Sequence, residues 1–218
     1  MLHSIEEPRN ARSRRTRAAL LAATRALLEE HGTESLTMAT VAQRAGVSRR
    51  AVYLHFASRT ELLTELFGYA SEQEGLASSL EPVWRAPDAA AALEEWARHL
   101  ARFHPRILAV ARAIQRVRRV DPDAQAHWKL VMADQQACCH RLATWLDGEQ
   151  RLPPPWTVQT AADMLWALMS FDLLEELLVD RGWSPRRYRT YLAALLRSTF
   201  LGDPGQARVA HDRPALDD

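Results

Sequence analysis

Three residues at set intervals, Ala42, Gly46 and Val52, constrain this chain more than any other feature. Two short helices that cross at close range need a small side chain at the crossing. Four residues on they need a turn residue tolerant of positive φ, and six beyond that an aliphatic residue in the second helix. Val41, Ala45 and Val47 supply the remaining inward positions, and Ser48 follows the turn where it can cap the second helix. The segment Thr37–Phe56 therefore reads as a helix-turn-helix. Its second helix opens with Arg49 and Arg50, whose guanidinium groups can bond guanine N7 and O6 or a phosphate. Tyr53, one turn further, can donate its hydroxyl to a phosphate, a contact that sets register without reading a base.

The charge distribution fits a head that meets a polyanion. Residues 1–60 carry ten arginines against five acids, a balance of +5, whereas the remaining 18 cations and 22 acids balance at −4. Arg12, Arg14, Arg15 and Arg17 are additional candidates for backbone or minor-groove contacts. Lys129 is the only lysine.

The rest of the chain continues in helices. Gly is scarce, at 8 of 218 residues, alternating runs are rare, and Ala, Leu, Arg and Glu dominate, so an all-α fold is expected. Residues 1–12 read as a basic arm. A first helix is expected from Ser13 to His31, stopped by Gly32, then two short helices over Thr37–Leu54. Ser58-x-x-Glu61 forms a capping box that opens a longer helix, fading before Pro82. Asp88 can cap a helix to His104, and Pro105 can start another. Pro122 opens a long helix to Asp147, Gly148–Pro155 is a loop, and Thr157 opens a helix to about Asp180. Ser184-Pro185 starts a last helix ending near Leu201. The domain plan is thus a head at 13–66, a helical body at 67–201 and a flexible tail at 202–218.

Gly32, Thr37, Ala42, Ala45-Gly46-Val47-Ser48, Tyr53, Phe56 and Arg59-Thr60-Glu61-Leu62 together resemble the TetR family of helix-turn-helix transcriptional regulators. The likeness covers about residues 13–66. Beyond them the chain resembles the family in being helical and of similar length. Two positions depart from the pattern: Arg50 stands where the family often has Gly, and Arg59 where Lys is usual. The resemblance implies an N-terminal three-helix DNA-binding domain and a C-terminal helical domain for ligand binding and dimerisation. It makes Thr37, Tyr53, His55 and Arg59 phosphate clamps beside Ser48, Arg49 and Arg50. It also implies a repressor that leaves a palindromic double-stranded operator when a small molecule binds.

All seven tryptophans lie beyond residue 83, outside the head. Large aromatics build cores and also line pockets for flat apolar ligands. Polar residues inside apolar stripes narrow the search: Gln135 between Trp128, Met132 and Leu142; Asp172 after Leu165, Leu168 and Met169; His99 between Trp96 and Phe103. With Trp166, these give the candidate effector site Trp96, His99, Phe103, Trp128, Met132, Gln135, Trp166, Met169 and Asp172, for an apolar or aromatic ligand. Core packing is the competing role of each. The last two helices carry more apolar surface than one stripe needs, so Trp166, Leu174, Leu177, Tyr188, Leu192 and Leu195 are candidates for a homodimer interface.

Other classes find little footing. No nucleotide-binding glycine loop, nucleophile elbow or H-E-x-x-H motif occurs, so no enzyme, catalytic residue or cofactor is expected. His127, Cys138, Cys139 and His140 lack metal-ligand spacing. The adjacent cysteines are expected as reduced thiols in a cytoplasmic protein. Acids interrupt the apolar stretch 161–179, which excludes a membrane span there. A DNA-binding dimer without a small ligand, governed by protein contacts, remains the alternative.

Overall fold

The computed structural model describes residues 11–202. Ten α-helices and one π-helical turn make up its regular structure, with no strand among the described residues. The expected arm before Ala11 and the tail beyond Gly202 lie outside the described residues. The chain divides into two compact units. One holds the residues up to Gln73 together with Ala109–Trp128; the other holds Glu74–Leu108 and the residues from Lys129 onward.

The first unit is built on α1 (Ala11–His31), α2 (Met38–Arg44), α3 (Arg49–His55) and α4 (Arg59–Gln73). Leu20, Val41, Val52, Phe56, Leu62 and Leu66 are fully buried. Each such side chain contributes about 1.5–3 kcal/mol relative to exposure. Gly32 ends α1 at φ +69, and its N–H donates to the Leu28 carbonyl at 3.0 Å. Ser58 Oγ accepts from the Glu61 N–H at 3.0 Å, and the Glu61 carboxylate reaches back to the Ala57 N–H at 2.5 Å. That reciprocal pair is the expected box, shifted by one residue on the return bond.

Residues 109–128 close the unit. Val110, Ala111 and Ile114 are buried. Arg116 donates to Thr33 Oγ1 at 2.7 Å, the Thr60 hydroxyl bonds the Asp121 carboxylate, and the Phe67 ring meets the His127 ring edge-on at 6.2 Å. The unit is therefore wider than the stretch 13–66.

The second unit comprises α5 (Leu76–Trp84), the first part of α6 (Ala89–Val117), most of α7 (Pro122–Gly148), α8 (Val158–Ala167), α9 (Phe171–Glu175) and α10 (Pro185–Phe200). Asp88 caps α6 as expected, accepting from the Ala91 N–H at 2.7 Å.

Three helix boundaries differ from the sequence reading. The helix behind Ser58 stops at Gln73, because Gly75 turns left-handed at φ +69; α5 then runs through Pro82. Pro105 does not start a new helix but lies inside α6. Trp96, Leu100, Phe103, Ile107, Val110 and Ile114 keep an unbroken three-four spacing of buried residues across it. That continuous burial outweighs one missing hydrogen bond. The expected single helix Thr157–Asp180 is α8, a turn, α9 and a π-helical turn over Glu176–Asp180. Ser170 causes the break: its hydroxyl accepts from the Asp172 N–H at 3.2 Å, a local bond that competes with the helix.

Candidate nucleic-acid interface

The turn between α2 and α3 is a close-packed bend. Gly46 adopts φ +66, the Ala45 N–H donates to the Val41 carbonyl at 2.9 Å, and the Val47 N–H donates to the Ala42 carbonyl at 3.0 Å. Ala42 and Val52 are buried at the crossing, as their spacing requires. Thr37 and Thr40 cap α2 reciprocally, at 3.1 and 2.9 Å. Ser48 Oγ accepts from the Ala51 N–H at 3.2 Å and fixes the start of α3.

With Val52 anchored inward, α3 turns Arg49, Arg50, Tyr53 and Leu54 outward. Tyr53 is 45% and Leu54 76% exposed. Arg49 Nη2 donates to the Tyr53 hydroxyl at 3.4 Å, and its guanidinium carbon lies 5.7 Å from the ring centre. Arg50 is exposed and has no ionic partner among the described residues. Leu54 was missed from sequence, although the period could have found it: it follows Arg50 by one turn and shares its face.

Other candidates are more committed to the fold. His55 is half-buried; burial first, then the Arg17 charge, lowers its pKa. Both effects disfavour the charged imidazolium. Arg59 donates to the Thr33 carbonyl at 2.8 Å, which binds the start of α4 to the loop after α1. Arg17 is occupied threefold. It lies 4.5 Å over the Phe56 ring, donates to the His55 carbonyl at 2.9 Å, and meets the Glu65 carboxylate at 3.0 Å. Arg12, Arg14 and Arg15 stay exposed on α1. Arg44, not singled out from sequence, forms a forked pair with Glu30 that joins α2 to α1.

The residues proposed for an effector are divided between the two units. Trp128 belongs to the first unit, where the Arg118 guanidinium stacks on it at 5.2 Å. In the second unit Trp96, His99 and Phe103 pack directly on one another, with ring centres 5.5 and 5.3 Å apart. Ser79 Oγ and His99 Nδ1 lie 2.7 Å apart, and His104 stacks on Phe171 at 5.0 Å. Burial first, and a neighbouring charge second, lower His99 to about 4 and His104 to about 3. Met169 is buried against the Cys139 thiol at 3.4 Å. Met132 and Gln135 are half-buried, and Asp172 is exposed. Both cysteines are free thiols. Among the described residues no group of His, Cys, Asp and Glu could hold a metal ion.

The dimer candidates differ in burial. Leu174, Tyr188 and Leu192 are buried within the chain, and burial raises the Tyr188 hydroxyl to about 12. Trp166 at 40%, Leu195 at 45%, and also Met164 and Tyr191 are exposed. Leu177 is half-buried. No described helix is long and apolar enough to cross a membrane.

The model of the tetR family of bacterial regulatory proteins matches residues 20–66. No curated protein matches the sequence significantly. Among solved structures, the chain resembles NalD, the secondary repressor of the MexAB-OprM multidrug efflux pump in Pseudomonas aeruginosa. They share 22% identity and a TM-score of 0.66, over 88% of this chain and 98% of that one. A transcriptional regulator of Rhodococcus gives 22% identity and a TM-score of 0.68, over 86% and 99%. A protein of Saccharomonospora viridis solved in complex with choline gives 14% identity and a TM-score of 0.75, over 87% and 100%.

Proposed function

Because the chain belongs, through its domain at residues 20–66, to the TetR family of bacterial regulatory proteins, we propose that it is a sequence-specific DNA-binding regulator acting in the cytoplasm. The observation that carries this reading is the outward face of α3. There Arg49, Arg50 and Tyr53 stand together on a helix whose start is fixed by Ser48 and whose depth is fixed by Val52. Arg50 reads a base edge in the major groove, and Tyr53 contacts a phosphate. Thr37, His55 and Arg59 flank this face as supports rather than as cationic clamps. The selection of bound fragments from genomic DNA by the purified protein tests the reading. A single recurrent sequence, bound roughly 10³-fold tighter than random duplex at physiological salt, is the expected result. Equal retention of all fragments overturns it.

Within that reading the protein is a repressor, working as a homodimer on a palindromic operator and released by a small apolar or aromatic effector. The fold likeness to NalD, a repressor, and to a protein holding choline supports this. The effector enters the second unit beside Trp96, His99, Phe103 and Met169, and it must part rings that now touch. That contact equally favours a second reading, in which the second unit dimerises and binds no small molecule. Titrating compounds that quench the tryptophan fluorescence, with operator affinity measured alongside, decides between them. A ligand that binds without changing operator affinity removes the release mechanism.

A further inference from the structure

A second basic surface lies in the second unit, far along the sequence from the reading helix. Two adjoining hollows of about 560 and 540 Å³ run between α6 and α10 and share Arg98 and Arg189. On α6, Arg98, Arg102 and Arg106 recur every fourth residue and so stand in one row. Arg186 and Arg189, one turn apart at the start of α10, form the opposite wall of the larger hollow. Ala101, Pro105 and Pro185 supply its apolar lining.

Like charges one turn apart on a helix repel, so such a row costs stability unless anions compensate it. Glu95 pairs with Arg98, and Glu74 with Arg106 at 3.2 Å. Arg102, Arg186 and Arg189 have no carboxylate partner among the described residues. The positive end of the α10 helix dipole adds to the same hollow. This concentration of positive charge lies in the part of the chain whose overall balance is negative.

The geometry points to a binding site for a small molecule carrying two or more linked phosphate groups. Planar guanidinium forks match phosphate oxygens two at a time. Arginines on facing helices suit a linear run of anionic groups better than a single carboxylate. The apolar lining accommodates whatever the phosphates are attached to. The site is separate from the exposed apolar residues of α10. Arg189 and Ala193 are half a helical turn from Tyr191, so the groove and the apolar strip occupy different faces of one helix.

Isothermal titration of the full-length protein with inorganic tripolyphosphate tests the assignment, with ATP and adenosine as separate arms. The wild type is expected to bind tripolyphosphate, with affinity reduced at least tenfold in Arg102→Gln/Arg189→Gln. The head variant Arg49→Gln/Arg50→Gln should change it less than twofold. Arg102→Lys keeps the charge but removes the fork, and should lose several-fold. Circular dichroism melting of each variant separates loss of the site from loss of fold. Tighter binding of ATP than of tripolyphosphate, with adenosine silent, identifies a nucleotide; equal binding identifies the phosphates alone as the recognised group. Binding lost in the head variant but kept in the groove variant overturns the proposal, as does equal affinity in all proteins.

Discussion

At the scale of single residues, the reading helix divides labour by chemistry. Arg50 is exposed and unpaired among the described residues, whereas Arg49 already leans on Tyr53. Arg50→Ala should therefore relax base preference by about 1–3 kcal/mol at one operator position, while Tyr53→Phe should weaken all sequences alike. Competition binding against operator variants separates the two patterns. Gly46 offers a cleaner stability test. At φ +66 a side chain is strained, yet an added Cβ would meet no atom within 4 Å. Gly46→Ala should cost about 1–2 kcal/mol in urea denaturation from backbone strain alone; a neutral result would mean that the turn relaxes. The head was legible because each of its residue types answers a backbone or packing demand of its own position. Arg17 and Arg59 were not, because nothing local distinguishes a solvated arginine from one that crosses to a carbonyl in another segment.

At the scale of elements, apolar period proved a better guide than punctuation. Pro105 and Pro82 are strong local stop signals, and both lie inside helices. The buried spacing from Trp96 to Ile114 was readable across Pro105, and it decides the outcome. Ser170 breaks its helix through one hydroxyl, a bond with little sequence signature. The candidate effector residues meet a related limit: helical periodicity gives the face of each helix but not the helix it meets. Where Trp96, His99, Phe103 and His104 do meet, they leave a measurable trace. An unfolded imidazole protonates near 6.5, whereas folded His99 and His104 protonate near 4 and 3. Below pH 6.5 the unfolded chain therefore binds more protons, so stability is full above that pH and falls on acidification. Ser79 faces His99, the Arg102 charge opposes its protonation, and Phe171 covers His104. His104→Leu should remove about half of the pH dependence due to this pair, read as urea midpoints at pH 7.5 and pH 5. An unchanged dependence would place the titrating groups elsewhere.

At the scale of the whole molecule, assembly can be tested with substitutions that the burial pattern separates. Leu195 is exposed on α10, while Leu174 is fully buried in α9. Leu195→Asp should give a folded monomer by light scattering and circular dichroism; Leu174→Asp should unfold the second unit through an unpaired buried charge, typically 3 kcal/mol or more. A wild type that stays monomeric at micromolar concentration would remove the dimer from the proposal. The threading of α6 has another consequence. Residues 109–128 return to complete the head, through Arg116 to Thr33 and Asp121 to Thr60. The head is thus encoded in two stretches separated by 35 residues of the other unit. Recombination at a single point after Gln73 would transplant an incomplete head, exposing Phe67 where His127 now lies. Under the proposed function, a change of DNA specificity is therefore expected to come from point changes on α3 rather than from exchange of the stretch up to Gln73 alone.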